Sequence, residues 1–166
     1  MKPTLNTNNK NIRLSYFSFL SPVGWLTVFE EDDAIIAVEW GQAKKTSKTS
    51  LLKEAQRQIE KYFSGNLKVY KLPLNPSGTE FQKCLWQKIS LIPYGETTTY
   101  GNLGNTLKTA PRAIGGACGK NPIPILIPCH RVIGIKNKLT GFSGGNGIKT
   151  KEILLSLELT VKNISK

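Results

Sequence analysis

A cysteine and the only histidine of the chain stand side by side, as Cys129 and His130, inside the apolar run 127–132. A thiol is a strong nucleophile only as the thiolate, and a free cysteine with a pKa of ~8.5 is ionised only to a few per cent at neutral pH. His130 and Arg131 supply a base and a cation that could ionise it. Adjacent side chains of a regular strand point to opposite faces, so His130 reaches Cys129 only if the backbone turns or a water bridges them. Pro128 favours such an irregular backbone.

The Cys-His pair also fits a buried structural cysteine beside a histidine that binds a backbone carbonyl, and the pair alone favours that interpretation. The flanking sequence instead favours a functional role, because further motifs lie on both sides of the Cys-His pair. They are Tyr100-Gly101, APRAIGGACGKNP over 110–122, ILIPCHRV over 125–132, Phe142-Ser143-Gly144-Gly145, and Lys-x-x-Leu-Leu-x-x-Glu over 151–158.

From about Thr79 to Glu158, this set of motifs resembles the O6-alkylguanine-DNA alkyltransferases. The match is long and ordered, and is therefore far more specific than a Pro-Cys-His triplet. The resemblance implies DNA repair by direct reversal, in which the alkyl group of O6-methylguanine, and also of O4-methylthymine, passes irreversibly to Cys129. The damaged base must first be flipped out of the duplex, which costs a few kcal/mol. The product is a thioether, so each molecule acts once, and the chemistry requires no metal and no organic cofactor.

The resemblance also implies the roles of the catalytic residues. Glu158 would orient His130, which takes the proton of Cys129 through a water. Tyr100 would donate a hydrogen bond to the departing guanine and offset its developing negative charge. Without the resemblance, Glu158 is simply a solvated glutamate near a helix end, and it lies near His130 only if the last helix packs back on the cysteine segment.

Supporting roles follow from the same resemblance. Asn121 would connect the recognition helix to the active-site turn through its hydrogen bonds. Backbone groups around Cys129 and Val132 would contact the guanine edge, and the amide of Ser143 would face the alkylated oxygen. Arg131 is expected to stabilise the local fold by pairing or hydrogen bonding rather than to contact the substrate.

The charge of the chain favours a polyanionic partner. The net charge is +12; residues 1–76 carry 11 basic and 7 acidic side chains, and residues 77–166 carry 12 and 4, so the cysteine half is the more basic. Neutralising phosphates releases counterions, which makes duplex DNA the natural partner. A generally lysine-rich, soluble surface would give the same charge, and charge alone does not decide between the two.

Length and composition also limit the number of domains and the cellular compartment. Its 166 residues suffice for one domain or two small ones. There is no signal-peptide pattern and no apolar run of membrane length, and three cysteines without paired spacing favour a reducing compartment. We therefore expect a soluble protein without a membrane partner, in the cytoplasm or, in a eukaryote, the nucleus. We also expect a monomer.

The first half predicts a small α+β domain, residues 1–76, with a structural role. Residues 1–11 are polar and expected to be loose. Three strands over 13–20, 24–29 and 34–40 are joined by short turns and predict an antiparallel meander. A helix capped by Ser50 follows, with an apolar stripe that ends at Phe63, and 69–74 predicts a further extended segment.

The second half, residues 77–166, predicts a mostly helical, winged-helix-like domain that binds DNA and carries the active site. A helix capped by Thr79 would bury Phe81, Cys84, Leu85 and Ile89 on one face. Two short helices, one beginning after Thr99 and one with Pro111 at its first position, predict a helix-turn-helix. A last helix is predicted over 149–159.

The second helix of this motif carries unusually small side chains. Ala110, Ala113, Gly115 and Gly116 leave little side chain on its surface, although glycine costs a helix interior about 0.5–1 kcal/mol relative to alanine. Something must approach this backbone closely, either the apolar run before Cys129 or DNA. A smooth face fits a narrow groove better than the major groove, which is read by long polar side chains. In the family, this helix enters the minor groove, and the residue at the position of Arg112 fills the gap left by the extruded nucleotide.

Three other functions are compatible with parts of the sequence. A non-catalytic alkyltransferase-like sensor of alkylated guanine would lack the cysteine that this chain has at 129. A helix-turn-helix regulator should carry base-reading side chains on its recognition helix, and this helix does not. A Cys-His hydrolase would need a preformed oxyanion hole and turnover, of which the sequence gives no clear sign.

Overall fold

The computed structural model describes residues 13–164. Its first part is the predicted antiparallel meander, with β1 at Leu14–Ser21, β2 at Gly24–Glu31 and β3 at Ala34–Trp40, in the order β1-β2-β3. The three predicted strands are confirmed, with ends that move by one or two residues. The expectation for residues 1–11 lies outside the described residues.

Helix α1, Ser50–Phe63, follows the sheet and buries its apolar stripe. Its N-cap is Thr49, whose hydroxyl accepts from the amide of Leu52, so the prediction of Ser50 as the cap is wrong by one residue. Either residue type satisfies a free amide of the first turn, which is why the sequence alone did not separate them. The predicted extended segment 69–74 reduces to a single bridge between Leu74 and Ile35.

The second part is mostly helical and confirms the predicted α+β class. Helices α2 (Glu80–Ser90), α3 (Tyr100–Leu107), α4 (Pro111–Gly119) and α5 (Ile148–Ile164) are accompanied by two short strands, β4 (Thr98–Thr99) and β5 (Val132–Ile133). The two short strands pair in parallel. Within residues 13–164, no helix has the length and apolarity needed to cross a bilayer.

The predicted helix-turn-helix is present as α3 and α4. Thr99 caps α3 by accepting from the amide of Asn102. Lys108 ends it in the left-handed conformation, with a φ of 53°, which turns the chain sharply. Pro111 opens α4 at the first helical position, where its missing N–H has no cost.

Helix α2 corrects one prediction. Thr79 caps it in a reciprocal capping box with Gln82, as the sequence suggested, but its buried residues are Leu85, Trp86 and Ile89. Cys84 is exposed, so its prediction as a core residue is wrong, and Phe81 is 38% exposed. The large indole of Trp86 takes the buried position because its Nε1 donates to the carbonyl of Ala117, 3.1 Å away.

The outer edge of β3 joins the two parts of the molecule. The amide of Ile35 donates to the carbonyl of Pro73, which belongs to the connecting segment. Further along β3, the amide of Val38 donates to the carbonyl of Pro122, 2.9 Å away, just after α4. Since Pro122 lies on the segment that leads to Cys129, the N-terminal sheet supports one side of the cysteine site.

Candidate active site

Cys129, His130 and Arg131 form a single 3₁₀ turn rather than a strand. The apolar run before them is already bent at Ile125, which has a φ of 73° and is fully buried. A β-branched residue rarely adopts this conformation, so packing must hold it there. The turn removes the restriction that adjacent strand residues face opposite ways. Cys129 is 7% exposed and lines a cavity of about 540 Å³, here called the Cys129 cavity.

His130 is bound to Glu158 in the interior. Its Nε2 lies 2.7 Å from Oε1 of Glu158, and both residues are fully buried. This contact exists because α5 packs back onto the 3₁₀ turn, which is the packing that a role for Glu158 requires. The other ring nitrogen, Nδ1, is buried and has no partner within the described part of the chain. With a carboxylate at Nε2, the ring carries its proton there, so Nδ1 is the nitrogen left to accept one.

The carboxylate of Glu158 is held by several donors. Arg131 approaches it with Nε at 2.9 Å, the hydroxyl of Tyr62 donates at 2.8 Å, and the amide of Gly95 donates at 3.0 Å. Burial would raise the pKa of Glu158, but the hydrogen bonds and charges of His130 and Arg131 outweigh it and lower the pKa to about 2. Glu158 is therefore an anion, and Arg131 is its buried counter-ion.

The resting thiol and imidazole are both neutral. Burial raises the pKa of the Cys129 thiol, and the hydrogen bond from Asn121 and the charge of Lys151 offset this only in part. Burial also lowers the pKa of His130, in spite of the attraction of Glu158. The cysteine thus needs a base to become a nucleophile, and the histidine beside it is in the form that can accept a proton.

Tyr100 and Val132 are occupied by contacts within the protein. The hydroxyl of Tyr100 donates to the carbonyl of Thr140 at 2.9 Å, and burial raises the pKa of this phenol to about 12. The fully buried Lys151 donates from Nζ to the carbonyls of Val132, at 2.5 Å, and Thr140, at 2.9 Å. Tyr100 keeps its proton, but it can donate to a guanine only by exchanging its bond to Thr140.

Asn121 and Ser143 both lie at the Cys129 cavity. The side-chain amide of Asn121 donates to the carbonyl of Ile127 at 2.9 Å, and its oxygen accepts from the amide of Ile123. Asn121 therefore ties the end of α4 to the segment before Cys129. Ser143 lies in residues 141–145, here called the active-site loop, which lines the Cys129 cavity.

Sequence reasoning missed two residues of this site. Lys151 was noted only as part of a motif, yet it shares one buried face of α5 with Leu154 and Glu158. A lysine at helical spacing from a buried leucine is a signal that could have found it. Tyr62 belongs to the apolar stripe of α1, which the sequence predicts to be core, and a buried tyrosine needs a partner for its hydroxyl. Which partner it finds, 96 residues away, depends on the packing of α5.

The outer face of α4 is smooth and open. Arg112, Ala113 and Gly116 are exposed, as is the N-cap Ala110, whereas Ile114, Ala117 and Cys118 are buried. A Cβ added at Gly116 would meet nothing within 4 Å, and one at Gly115 would only touch the ring of Tyr100 at 4.0 Å. Packing within the protein therefore does not require glycine at position 115 or 116, so a close approach of the apolar run before Cys129 does not explain these two residues.

Comparison with known proteins agrees with this geometry. Residues 14–76 match the family model for the ribonuclease-like domain of 6-O-methylguanine DNA methyltransferase, and residues 80–160 match that for its DNA binding domain. The methylated-DNA–protein-cysteine methyltransferase of Methanosarcina acetivorans is 43% identical over 155 residues, which cover 86% of this chain and 97% of the relative. The enzyme of that name from Haemophilus influenzae is 37% identical, over 87% of this chain and 86% of its own.

A solved structure shows the same arrangement. The crystal structure of Mycobacterium tuberculosis OGT in complex with DNA aligns with a TM-score of 0.80 at 38% identity, over 88% of this chain and 93% of that one. Similarity in sequence and in fold thus extends over both parts of the molecule. The chain belongs to the methylated-DNA–protein-cysteine methyltransferase family.

Proposed function

We propose that this protein repairs duplex DNA by transferring the alkyl group of O6-methylguanine to Cys129, once per molecule. The observation that carries the proposal is the buried pair of His130 and Glu158, which leaves Nδ1 of His130 without a partner among residues 13–164, next in the chain to the cavity-lining cysteine. The relatives that carry the name methylated-DNA–protein-cysteine methyltransferase, at up to 47% identity, support it. O4-methylthymine is proposed as a second substrate.

The reaction begins with activation of the thiol. Nδ1 of His130 accepts the proton of Cys129 through a bridging water, and Glu158 and Arg131 stabilise the imidazolium–carboxylate pair that results. The thiolate attacks the alkyl carbon in line with the bond to the guanine oxygen. The sulfur–carbon bond forms as the carbon–oxygen bond breaks, and its electron pair leaves with the guanine. Tyr100 donates a hydrogen bond to the leaving base and offsets its negative charge.

Access to the buried base is the role proposed for α4. The small residues Ala110, Ala113 and Gly116, which are exposed, and Gly115, which is half-buried, let the helix backbone approach the minor groove closely. Arg112, exposed on the same helix, fills the gap that the flipped nucleotide leaves, which reduces the cost of unstacking. We propose that residues 1–76 form a structural unit and that residues 77–166 form the unit that binds DNA and accepts the alkyl group. Because the substrate is DNA, we infer that the protein works in the cytoplasm or, in a eukaryote, in the nucleus.

The stoichiometry of repair tests this proposal. Protein is mixed with an excess of duplex that carries one O6-methylguanine, and the remaining lesion is quantified after digestion to nucleosides. We expect repair to stop when one lesion has been removed per protein molecule, because the thioether is not released. Cys129→Ser should remove none. Repair that continues past one equivalent would reject single turnover, and repair by Cys129→Ser would reject Cys129 as the acceptor.

A further inference from the structure

The Cys129 cavity has a wall that comes from the N-terminal sheet. On one side it is lined by Cys129, the end of α4 and the active-site loop. On the other side it is lined by residues 37–40, the last part of β3. The N-terminal half therefore contributes directly to the space that an alkyl group would enter, and the largest side chain it contributes is Trp40.

The indole of Trp40 lies against the active-site loop. Its ring meets the edge of Phe142 with centroids 6.1 Å apart and planes at 87°. A Cβ added at Gly144 would lie 2.5 Å from this indole, and one added at Gly145 would lie 2.7 Å from its Nε1. The φ of Gly144 is not positive, so its backbone does not itself require glycine. The close approach of the indole is what excludes a larger residue there.

Trp40 is itself held in place by the N-terminal half. Its Nε1 donates to the carbonyl of Val23, 3.1 Å away, in the turn between β1 and β2. Two residues earlier on the same strand, the amide of Val38 donates to Pro122 on the segment that leads to Cys129. The distance between the indole and the cysteine segment is thus fixed through β3, and the active-site loop rests on a rigid support.

We propose that Trp40 is a specificity-determining residue: by supporting the active-site loop, its indole sets the size of the alkyl site, so that the N-terminal half selects the alkyl groups that Cys129 accepts. The inference rests on the proposed function. The Cys129 cavity, of about 540 Å³, must hold the flipped guanine as well as its alkyl group, and it leaves room for an aromatic group such as benzyl. We expect a benzyl group to extend from the sulfur towards the active-site loop, which lines the same cavity, whereas a methyl group stays next to the sulfur.

The test measures the ratio of two rates in one DNA context. Identical duplexes carry either O6-benzylguanine or O6-methylguanine, and the single-turnover rates of wild type, Trp40→Ala and Trp40→Phe are compared. Because the DNA is the same, any change in duplex binding cancels in the ratio. We expect the benzyl-to-methyl ratio to fall by about tenfold in Trp40→Ala, because the active-site loop loses its support and no longer packs against the benzyl group, and a lost apolar contact is typically worth a factor of that order. Trp40→Phe, which keeps an aromatic ring, should fall less.

Trp25→Ala is the matched control. Trp25 lies on the neighbouring strand β2 and does not line the Cys129 cavity, so its removal should leave the ratio unchanged. An unchanged ratio in folded Trp40→Ala would overturn the inference; if that variant does not fold, an unchanged ratio in Trp40→Phe would do so. Wild-type protein that transfers neither group would instead reject the proposed function itself.

Discussion

At the scale of single residues, the burial of His130 makes the stability of the fold depend on pH. Burial lowers the pKa of His130 in the folded state, so the unfolded chain takes up a proton more readily near pH 6.5. The contribution of the neutral His130 to the free energy of unfolding is therefore complete above pH 6.5, and it is lost as the pH falls below that value. The pKa of Glu158, lowered from 4.5 to about 2, adds a further loss between these values.

We expect the free energy of unfolding, measured with urea, to fall between pH 7 and pH 5. Because His130 is the only histidine of the chain, a loss that begins near pH 6.5 is assigned to it. His130→Gln retains a donor for Glu158 but does not titrate, and should show a flatter profile over the same range. Equal stability of the wild type at pH 7 and pH 5 would contradict a buried neutral imidazole.

At the level of elements, the exposed small residues of α4 allow a substitution that should impair DNA binding without destabilising the fold. Gly116→Gln adds a long side chain where the protein leaves open space. It should stabilise the helix by about 0.5–1 kcal/mol, because glycine is a poor helix former. On the proposed account, it should also slow the repair of duplex DNA by at least about tenfold, because the side chain holds the helix backbone away from the groove.

The readouts for Gly116→Gln are the melting temperature, the rate with duplex and the rate with free O6-benzylguanine. The rate with the free base should remain at the wild-type level, since Gly116 does not line the Cys129 cavity. Gly116→Ala serves as the control for the small gain in helix propensity. Wild-type repair of duplex by Gly116→Gln would show that α4 does not approach DNA closely.

Most elements were predictable from local patterns, but the buried face of α2 was not. Caps, turn residues and apolar spacing located the meander and the helix-turn-helix. In α2, one apolar stripe with helical spacing runs through Cys84 and another through Trp86. Which stripe is buried depends on a hydrogen-bond acceptor for the indole, the carbonyl of Ala117, 31 residues away. Local spacing carries no information about that acceptor, which exists only after α4 has packed against α2.

At the scale of the whole molecule, the site unites residues that no local pattern connects. The cysteine segment was predictable because its chemistry and motifs lie close together in the sequence. The hydroxyl of Tyr62 on Glu158 and the indole of Trp40 on the active-site loop were not, because they join residues about a hundred positions apart. Both contacts come from the N-terminal half, for which sequence reasoning predicted only a structural role.

Intact and peptide mass spectrometry after reaction with excess duplex carrying one O6-methylguanine would show directly whether Cys129 accepts the alkyl group. We expect the mass of a single added methyl group per molecule, located on the peptide that contains Cys129. Cys129→Ser, which leaves Cys84 and Cys118 in place, should gain none. Tight binding of the duplex without a change in mass, or a methyl group on another cysteine, would contradict the account and remove the catalytic roles proposed for His130 and Glu158.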